Sequence, residues 1–240
     1  MRYIIMHKTS AHWESGATPS KELIARVGAL LGEMANAKVF VAGEGLRASS
    51  EGVRLDFSRG ARTVTRGPFV GDHELPAGFS IVRTASVDEA VDWATRQAAI
   101  LGDVAMDVRP VTEAWDIGMR PAPPDNTTRR YMVLRKATVA TESGDSPSPA
   151  QRAKLARLVE ETTRTGTHLV TETMRPSARG RRYKNTREGM RVIDGPFTES
   201  KELIAGYTIV IADSLEEASR WAERYIDVVE ADEVDVREVE

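Results

Sequence analysis

The sequence predicts an α+β fold in which two ferredoxin-like repeats pack as an intramolecular α+β barrel, a pseudo-dimer within one chain. The prediction depends on three observations: a gapless internal repeat, a β-α-β, hairpin, β-α-β order in each copy, and helices for only one face of each sheet. A partly apolar sheet face without helices needs a partner, and the other copy is the obvious one.

The repeat consists of matching residues at one constant spacing. Gly67-Pro68-Phe69 matches Gly195-Pro196-Phe197, an offset of 195 − 67 = 128 residues. Further matches at this offset are Lys8 with Lys136, Arg47 with Arg175, Arg54 with Arg182 and Asp107 with Asp235. A period of this length suits one whole domain per copy. We expect a first repeat over residues 1–115 with a degenerate motif, a proline-rich linker over 116–128, and a second repeat over 129–240.

Local patterns predict the first half of each copy. Residues 2–8 are short, apolar and β-prone, which predicts a first strand. Apolar residues at helical spacing over 23–34, after an N-cap-like Pro-Ser, predict the first helix. Residues 39–42 read as a second strand, and residues 53–57 and 62–66 as a hairpin.

The second half of each copy follows in the same way. Residues 78–82 predict a strand, and Ser86 with Glu89 three residues on has the spacing of a capping box that opens the second helix. Residues 104–111 predict the last strand. The same elements recur in the second copy, so each prediction is made twice.

Composition excludes several classes of function. The chain has 33 basic and 36 acidic residues, and this balance does not favour a nucleic-acid partner. It has no cysteine, which rules out disulfides and thiolate chemistry and is compatible with a cytoplasmic location. No apolar run is long enough to span a membrane. There is no glycine-rich phosphate loop, nucleophile elbow or metal signature, so we expect no cofactor and no metal.

Residues 192–207, which include Asp194-Gly195-Pro196-Phe197, resemble the signature of YCII-related proteins of the DGPF type. The first copy carries Arg66 where the second has Asp194. The resemblance implies a fold of the dimeric α+β barrel kind. Some relatives are lyase- or isomerase-like enzymes that act through a His–Asp pair on small cyclic molecules. The positions that match the enzyme-type histidine are Leu23 and Gln151 here, which weakens the catalytic interpretation. Genes of this type often lie beside those for extracytoplasmic-function sigma factors, which implies a regulatory setting.

Two residues are the candidates for catalysis. Asp194 is either one residue of a turn or a carboxylate in a pocket, and the turn itself does not need it because Gly-Pro-Phe recurs without Asp. His168 replaces Phe40 of the first copy in strand two, where a packed histidine is more common than a catalytic one. If a proton-transfer pair exists, it is His168 with Asp194.

Four further residues are candidate ligand-binding groups. His7 aligns with Arg135, and this difference breaks the symmetry between the copies. Arg175 belongs either to a solvated surface or to an anion clamp. Phe197 follows the Gly-Pro turn. Together they are His7, Arg135, Arg175 and Phe197.

Three functions remain open from the sequence. The first is binding of an unidentified small molecule between the two repeats, in one principal pocket dominated by polar groups of the second copy. The second is a cofactor-free lyase or isomerase that uses Asp194 and His168. The third is a non-catalytic regulatory module with a protein partner, such as a sigma factor.

Overall fold

The computed structural model describes residues 1–71, 74–197, 200 and 202–240, and the chain divides into two compact units. Unit 1 comprises Met1–Gly45, Gly71–Glu74 and Met174–Glu240, and unit 2 comprises Leu46–Val70 and Leu75–Thr173. Each unit therefore combines one part of the first repeat with one part of the second.

Both repeats contain the same elements in the same order. The first repeat has β1 (Arg2–Lys8), α1 (Ala11–Glu14), α2 (Lys21–Asn36), β2 (Phe40–Gly45), β3 (Val53–Ser58), β4 (Ala61–Arg66), β5 (Pro76–Thr84), α3 (Val87–Leu101) and β6 (Val104–Pro110). The second has β7 (Arg129–Lys136), α4 (Val139–Glu142), α5 (Pro149–Arg164), β8 (His168–Thr173), β9 (Arg181–Thr186), β10 (Gly189–Asp194), β11 (Ile204–Ile211), α6 (Leu215–Val228) and β12 (Glu233–Val239). The predicted order is confirmed, with short helices α1 and α4 in addition.

Serine caps begin the four long helices, as the sequence patterns indicate. The Ser20 hydroxyl accepts a hydrogen bond from the Leu23 amide at the start of α2, and Ser148 and Gln151 form a reciprocal capping box at the start of α5. The Ser86 and Ser214 hydroxyls likewise accept from the amides of Glu89 and Glu217 at the starts of α3 and α6, but here the glutamate carboxylates accept from the amides of Ala85 and Asp213 instead of from the cap residues. Each cap satisfies an amide that the first helical turn leaves without an intrahelical acceptor.

The sheet of unit 1 has the strand order β10-β9-β12-β1-β11-β2, and its pairs are antiparallel. The four strands β12-β1-β11-β2 have the ferredoxin-like arrangement, to which the β9–β10 hairpin adds two strands at one edge. Strands β1 and β2 come from the first repeat and the others from the second.

Side chains alternate between the two faces of each strand of this sheet. On β1, Tyr3 and Ile5 face α2 and α6 and lie in one hydrophobic cluster with Met34 and Ile226. His7 follows them on this helix-facing side. Lys8 is on the opposite face of the sheet. The strand therefore places one imidazole and one ammonium group on opposite faces at its end.

Unit 2 repeats this architecture with the roles of the repeats reversed. Its strand order is β4-β3-β6-β7-β5-β8, again antiparallel, with β7 and β8 from the second repeat. Its hydrophobic cluster joins Val82 and Val133 of the sheet to Trp93 of α3 and Leu158 of α5.

The structure confirms the α+β class with two ferredoxin-like repeats, but it differs from the expectation that each copy builds its own sheet. Each sheet is shared, because the chain leaves one unit after β2 and enters the other, and does the reverse after β8. Local patterns do not distinguish these alternatives, since both use the same elements in the same order. The barrel arrangement stays a prediction.

Candidate functional site

The first candidate group lies between sheet and helices in unit 1. Nδ1 of His7 lies 3.0 Å from the Tyr225 hydroxyl of α6, and the two rings meet edge to face with centroids 5.6 Å apart. The Thr208 side chain of β11 also interacts with the Tyr225 hydroxyl and lowers its pKa. The His7 residue itself remains partly exposed. Residues from both repeats thus meet at one imidazole.

Burial holds both rings in their neutral forms at pH 7. It lowers the pKa of His7 to about 4, and it raises the pKa of Tyr225 to about 12 against a smaller lowering by the Thr208 hydrogen bond. A phenol that stays protonated at this pH can donate to Nδ1 of His7, and we assign its proton to that contact. The proton of the neutral imidazole is then on Nε2. Among the described residues, none forms a hydrogen bond with Nε2.

A glycine makes room for this imidazole. Gly206 of β11 lies opposite His7, and a Cβ there would be 2.6 Å from Cε1 of His7 and 2.7 Å from the carbonyl oxygen of Glu44. In unit 2, Gly78 lies opposite Arg135, the residue that aligns with His7, and a Cβ there would be 3.2 Å from its guanidinium. The two aligned positions are therefore equivalent in space as well as in sequence.

The second candidate group is a buried cluster of charges on the opposite face of the same sheet. Nζ of Lys8 lies 3.2 Å from the Asp235 carboxylate of β12 and 2.8 Å from the Ser200 hydroxyl. The Arg182 guanidinium of β9 contacts the same carboxylate at 2.5 and 2.8 Å, and also lies 3.0 Å from Glu233. We call Lys8, Arg182, Glu233 and Asp235 the Lys8 cluster.

Electrostatics keep Asp235 ionised in this cluster. Burial raises the pKa of Asp235, but Lys8 and Arg182 lower it by more, so that it lies below its usual value. Burial lowers the pKa of Arg182, but Asp235 and Glu233 raise it by more, so that it lies above its usual value. Arg182 and Asp235 therefore remain oppositely charged at neutral pH.

Phe197 supports the cluster through the Gly-Pro-Phe turn. Its ring lies 4.5 Å from the Arg182 guanidinium, and its amide donates to the Ser177 hydroxyl at 3.0 Å. A Cβ at Gly195 would be 1.8 Å from the Ser177 carbonyl oxygen, so close packing requires glycine here. In this structure Phe197 contacts a charged side chain of the protein, and its predicted ligand-binding role remains untested.

The proposed proton-transfer pair is divided between the two units. Asp194 of unit 1 has an exposed carboxylate that Nε of Arg181 contacts at 2.8 Å. His168 of unit 2 is buried, and its Nδ1 and Nε2 lie 3.1 and 2.8 Å from the hydroxyls of Thr163 and Thr171. Burial also lowers the pKa of His168. Each residue thus has partners in its own unit, and their catalytic pairing stays a prediction.

The contacts of the two candidate arginines, Arg175 and Arg135, are with other groups of the protein. The Arg175 carbonyl accepts a hydrogen bond from Nε of buried Arg237 at 3.0 Å, and its guanidinium lies 2.9 Å from Glu240. Arg135 donates to the Ala77 carbonyl at 3.3 Å. Ligand binding by either residue stays a prediction.

Sequence reasoning missed the partners that give the two groups their chemistry. Tyr225 and Thr208 align with Gln97 and Ser80, so the repeat gave no signal for them. The ion cluster did leave a signal, because Lys8, Arg182 and Asp235 each recur unchanged at the 128-residue offset. Three recurring charged residues on neighbouring strands are consistent with a buried ion cluster rather than three solvated side chains.

The comparison with family models agrees with this architecture. The model of the YCII-related domain matches residues 1–113 and again 130–240. The chain therefore belongs to the YCII-related family. No match was found among curated proteins or among solved structures. In this YCII-related protein, the two matched copies correspond to the two repeats, and the DGPF subtype stays a prediction.

The described residues contain neither a metal-binding group nor a membrane-spanning helix. In that part of the chain, no group of three or more His, Asp or Glu side chains could hold a metal ion. Across the same residues, no helix has both the length and the apolar character that crossing a membrane requires.

Proposed function

We propose that this YCII-related protein binds a small organic molecule at His7, in a site to which both repeats contribute. The observation that carries the proposal is the arrangement at the imidazole, where the Tyr225 hydroxyl occupies Nδ1 and Nε2 has no partner among the described residues. With the phenol proton assigned to Nδ1, Nε2–H is the donor that a ligand would meet. His7 comes from the first repeat, and Tyr225 and Thr208 from the second.

The chemistry of this donor favours an uncharged acceptor. With a pKa of about 4, the ring is neutral under ordinary conditions and offers a hydrogen bond without a charge. Such a donor suits a carbonyl oxygen of a ketone, amide or lactone, whereas phosphates and carboxylates are usually bound by cationic groups. Strong perturbation of a pKa by burial is also more frequent at functional sites than elsewhere.

Thermal denaturation with a panel of small cyclic ketones, amides and lactones tests the proposal. A ligand that binds only the folded protein stabilises it, by about 2.7 kcal/mol at one hundred times its Kd. We expect at least one compound of the panel to raise the Tm of the wild type and not that of His7→Gln. The matched control is Arg135→Gln at the equivalent position of unit 2, which should keep the response.

Nitrogen-15 NMR of the imidazole locates the binding. Addition of the same compound should shift the Nε2 resonance of His7 more than that of His168. If the whole panel left both the Tm and the His7 resonance unchanged, or if His7→Gln kept the full response, the proposal would be wrong.

A further inference from the structure

Each sheet has a hairpin at one edge, and β2 and β8 form the opposite edges. The outer strands of the two hairpins are edge strands. These are β4 in unit 2 and β10 in unit 1, and all six residues of each strand are exposed. In the described part of the chain, each pairs with its hairpin neighbour alone. An edge strand presents peptide groups to any second strand, and proteins usually protect such edges with charges or proline.

The two edges differ in their protection. On β10, Met190, Val192 and Ile193 are exposed by 39%, 50% and 36%. On β4 the one large apolar residue is Val64, and Arg62 and Arg66 lie two positions to either side of it. Strand β10 is thus the more apolar of the two hairpin edges.

The hairpin geometry gives the direction of the peptide groups on β10. A loop of two residues, Arg187 and Glu188, joins the strands, and Gly189 pairs with Thr186. This first pair is hydrogen-bonded, and bonded and non-bonded pairs alternate along an antiparallel ladder. The N–H and C=O groups of Val192, three positions on, therefore point away from β9.

We propose that β10 pairs antiparallel with β10 of a second copy of this chain, with Val192 on the two-fold axis. Val192 then lies opposite its own counterpart, Met190 opposite Asp194, and Arg191 opposite Ile193. No like charges meet across this pair. The same register at β4 would place Arg62 directly opposite Arg66, which destabilises a strand pair. Charge thus allows self-pairing at β10 and opposes it at β4.

Sedimentation equilibrium over a range of protein concentrations tests this pairing. One strand pair buries a small area, so the dimer should be weak, with a Kd above about 1 µM. We expect the weight-average mass of the wild type to rise from 26.4 kDa towards twice that value as concentration increases. A wild type that stayed at 26.4 kDa throughout would overturn the proposal.

Matched substitutions at the two edges locate the interface. Val192→Lys should keep the mass monomeric, because it places two like charges on the axis, whereas Val64→Lys should dimerise as the wild type does. Val192→Pro is the second variant, since it removes an N–H that points away from β9 and leaves the hairpin ladder intact. Equal loss of dimer in the Val64 and Val192 variants, or dimerisation that survives both Val192 changes, would contradict pairing through β10.

Discussion

The same three charged residues form a tight cluster in unit 1 and a looser one in unit 2. In unit 1, Lys8 lies 3.2 Å from Asp235, whereas in unit 2 Lys136 lies 3.8 Å from Asp107. The arginine of unit 1 is also more enclosed: the side chain of Arg182 is 6% exposed, and that of Arg54 is 19% exposed. In both units the guanidinium lies over a phenylalanine ring at similar distance.

The difference follows from residues around the shared core of the cluster. Unit 1 has Glu233 within 3.0 Å of Arg182 and 2.6 Å from Lys184, whereas unit 2 has Ala105 at the aligned position. A second carboxylate allows the arginine to be buried, because a buried charge needs compensation by partners. Duplication thus kept one ion triad twice and let its surroundings diverge.

The helix-facing side of the two sheets diverged further. At one position, unit 1 has neutral His7 and unit 2 has Arg135, which is permanently charged. The opposing glycine is retained in both. The scaffold therefore tolerates either a neutral or a cationic side chain here, and in unit 1 the neutral ring contacts Tyr225.

Of the predicted changes, removal of the Asp235 carboxylate should have the largest effect on stability. We expect Asp235→Asn to lower the free energy of unfolding by about 3 to 5 kcal/mol, because it leaves Lys8 and Arg182 buried with less compensation. Asp107→Asn should cost less, about 1 to 3 kcal/mol, since water reaches Arg54 and Lys136 more easily. Urea denaturation measures both variants.

Glu233→Ala is the control that connects the two units. It gives unit 1 the residue that unit 2 has at this position and leaves Asp235 to compensate both Lys8 and Arg182, so Asp235→Asn should cost at least as much in that background as in the wild type. An equal loss of stability for Asp235→Asn and Asp107→Asn in the wild-type background would show that burial of the cluster does not set its contribution.

The pH dependence of stability should distinguish the contribution of His7 from that of Arg135. The folded-state pKa of His7, about 4, lies below the ordinary value of 6.5, so the unfolded chain binds the proton more readily between these values. The contribution of neutral His7 to the free energy of unfolding is therefore fully present above pH 6.5 and is lost as the pH falls towards 4. The loss of stability amounts to about 3 kcal/mol, because each unit of difference between the folded and unfolded pKa corresponds to about 1.36 kcal/mol.

Denaturation at several pH values between 4 and 7 measures this contribution. The wild type should lose about 3 kcal/mol more than His7→Gln over this range, and Arg135→Gln should follow the wild type. His168 is present in all three proteins, so its own titration cancels in the comparison. Parallel curves for the wild type and His7→Gln would show that folding does not lower the pKa of the imidazole.

The sequence predicted the elements well, and their assembly less well. Helix caps such as Ser86 and Ser214 and the Gly-Pro-Phe turn depend on contacts within a few residues, so local patterns identify them. The exchange of β1 and β2 with β7 and β8 between the sheets depends on long-range pairing that leaves every local pattern unchanged.

The candidate site shows the same limit. His7 was a candidate because it interrupts the match between the copies, but Tyr225 lies 218 positions further along the chain and carries no motif. Asp194 was a candidate because it belongs to a family motif, and the structure places its carboxylate at the surface. A motif indicates membership of a family, whereas the environment of a side chain decides its chemistry.

Asp194→Asn should have the smallest effect of these changes, and it is the one that tests the motif directly. Its carboxylate is 75% exposed and pairs with Arg181, which also lies 3.1 Å from Glu216. Exposed pairs contribute between about 0 and 1 kcal/mol, and Arg181 keeps a carboxylate partner in the variant. We expect urea denaturation to detect a loss of less than about 1 kcal/mol, and the Tm response to the carbonyl panel to stay unchanged. A lost response with stability preserved would instead identify Asp194 as a ligand-binding group and favour the role that the motif predicts.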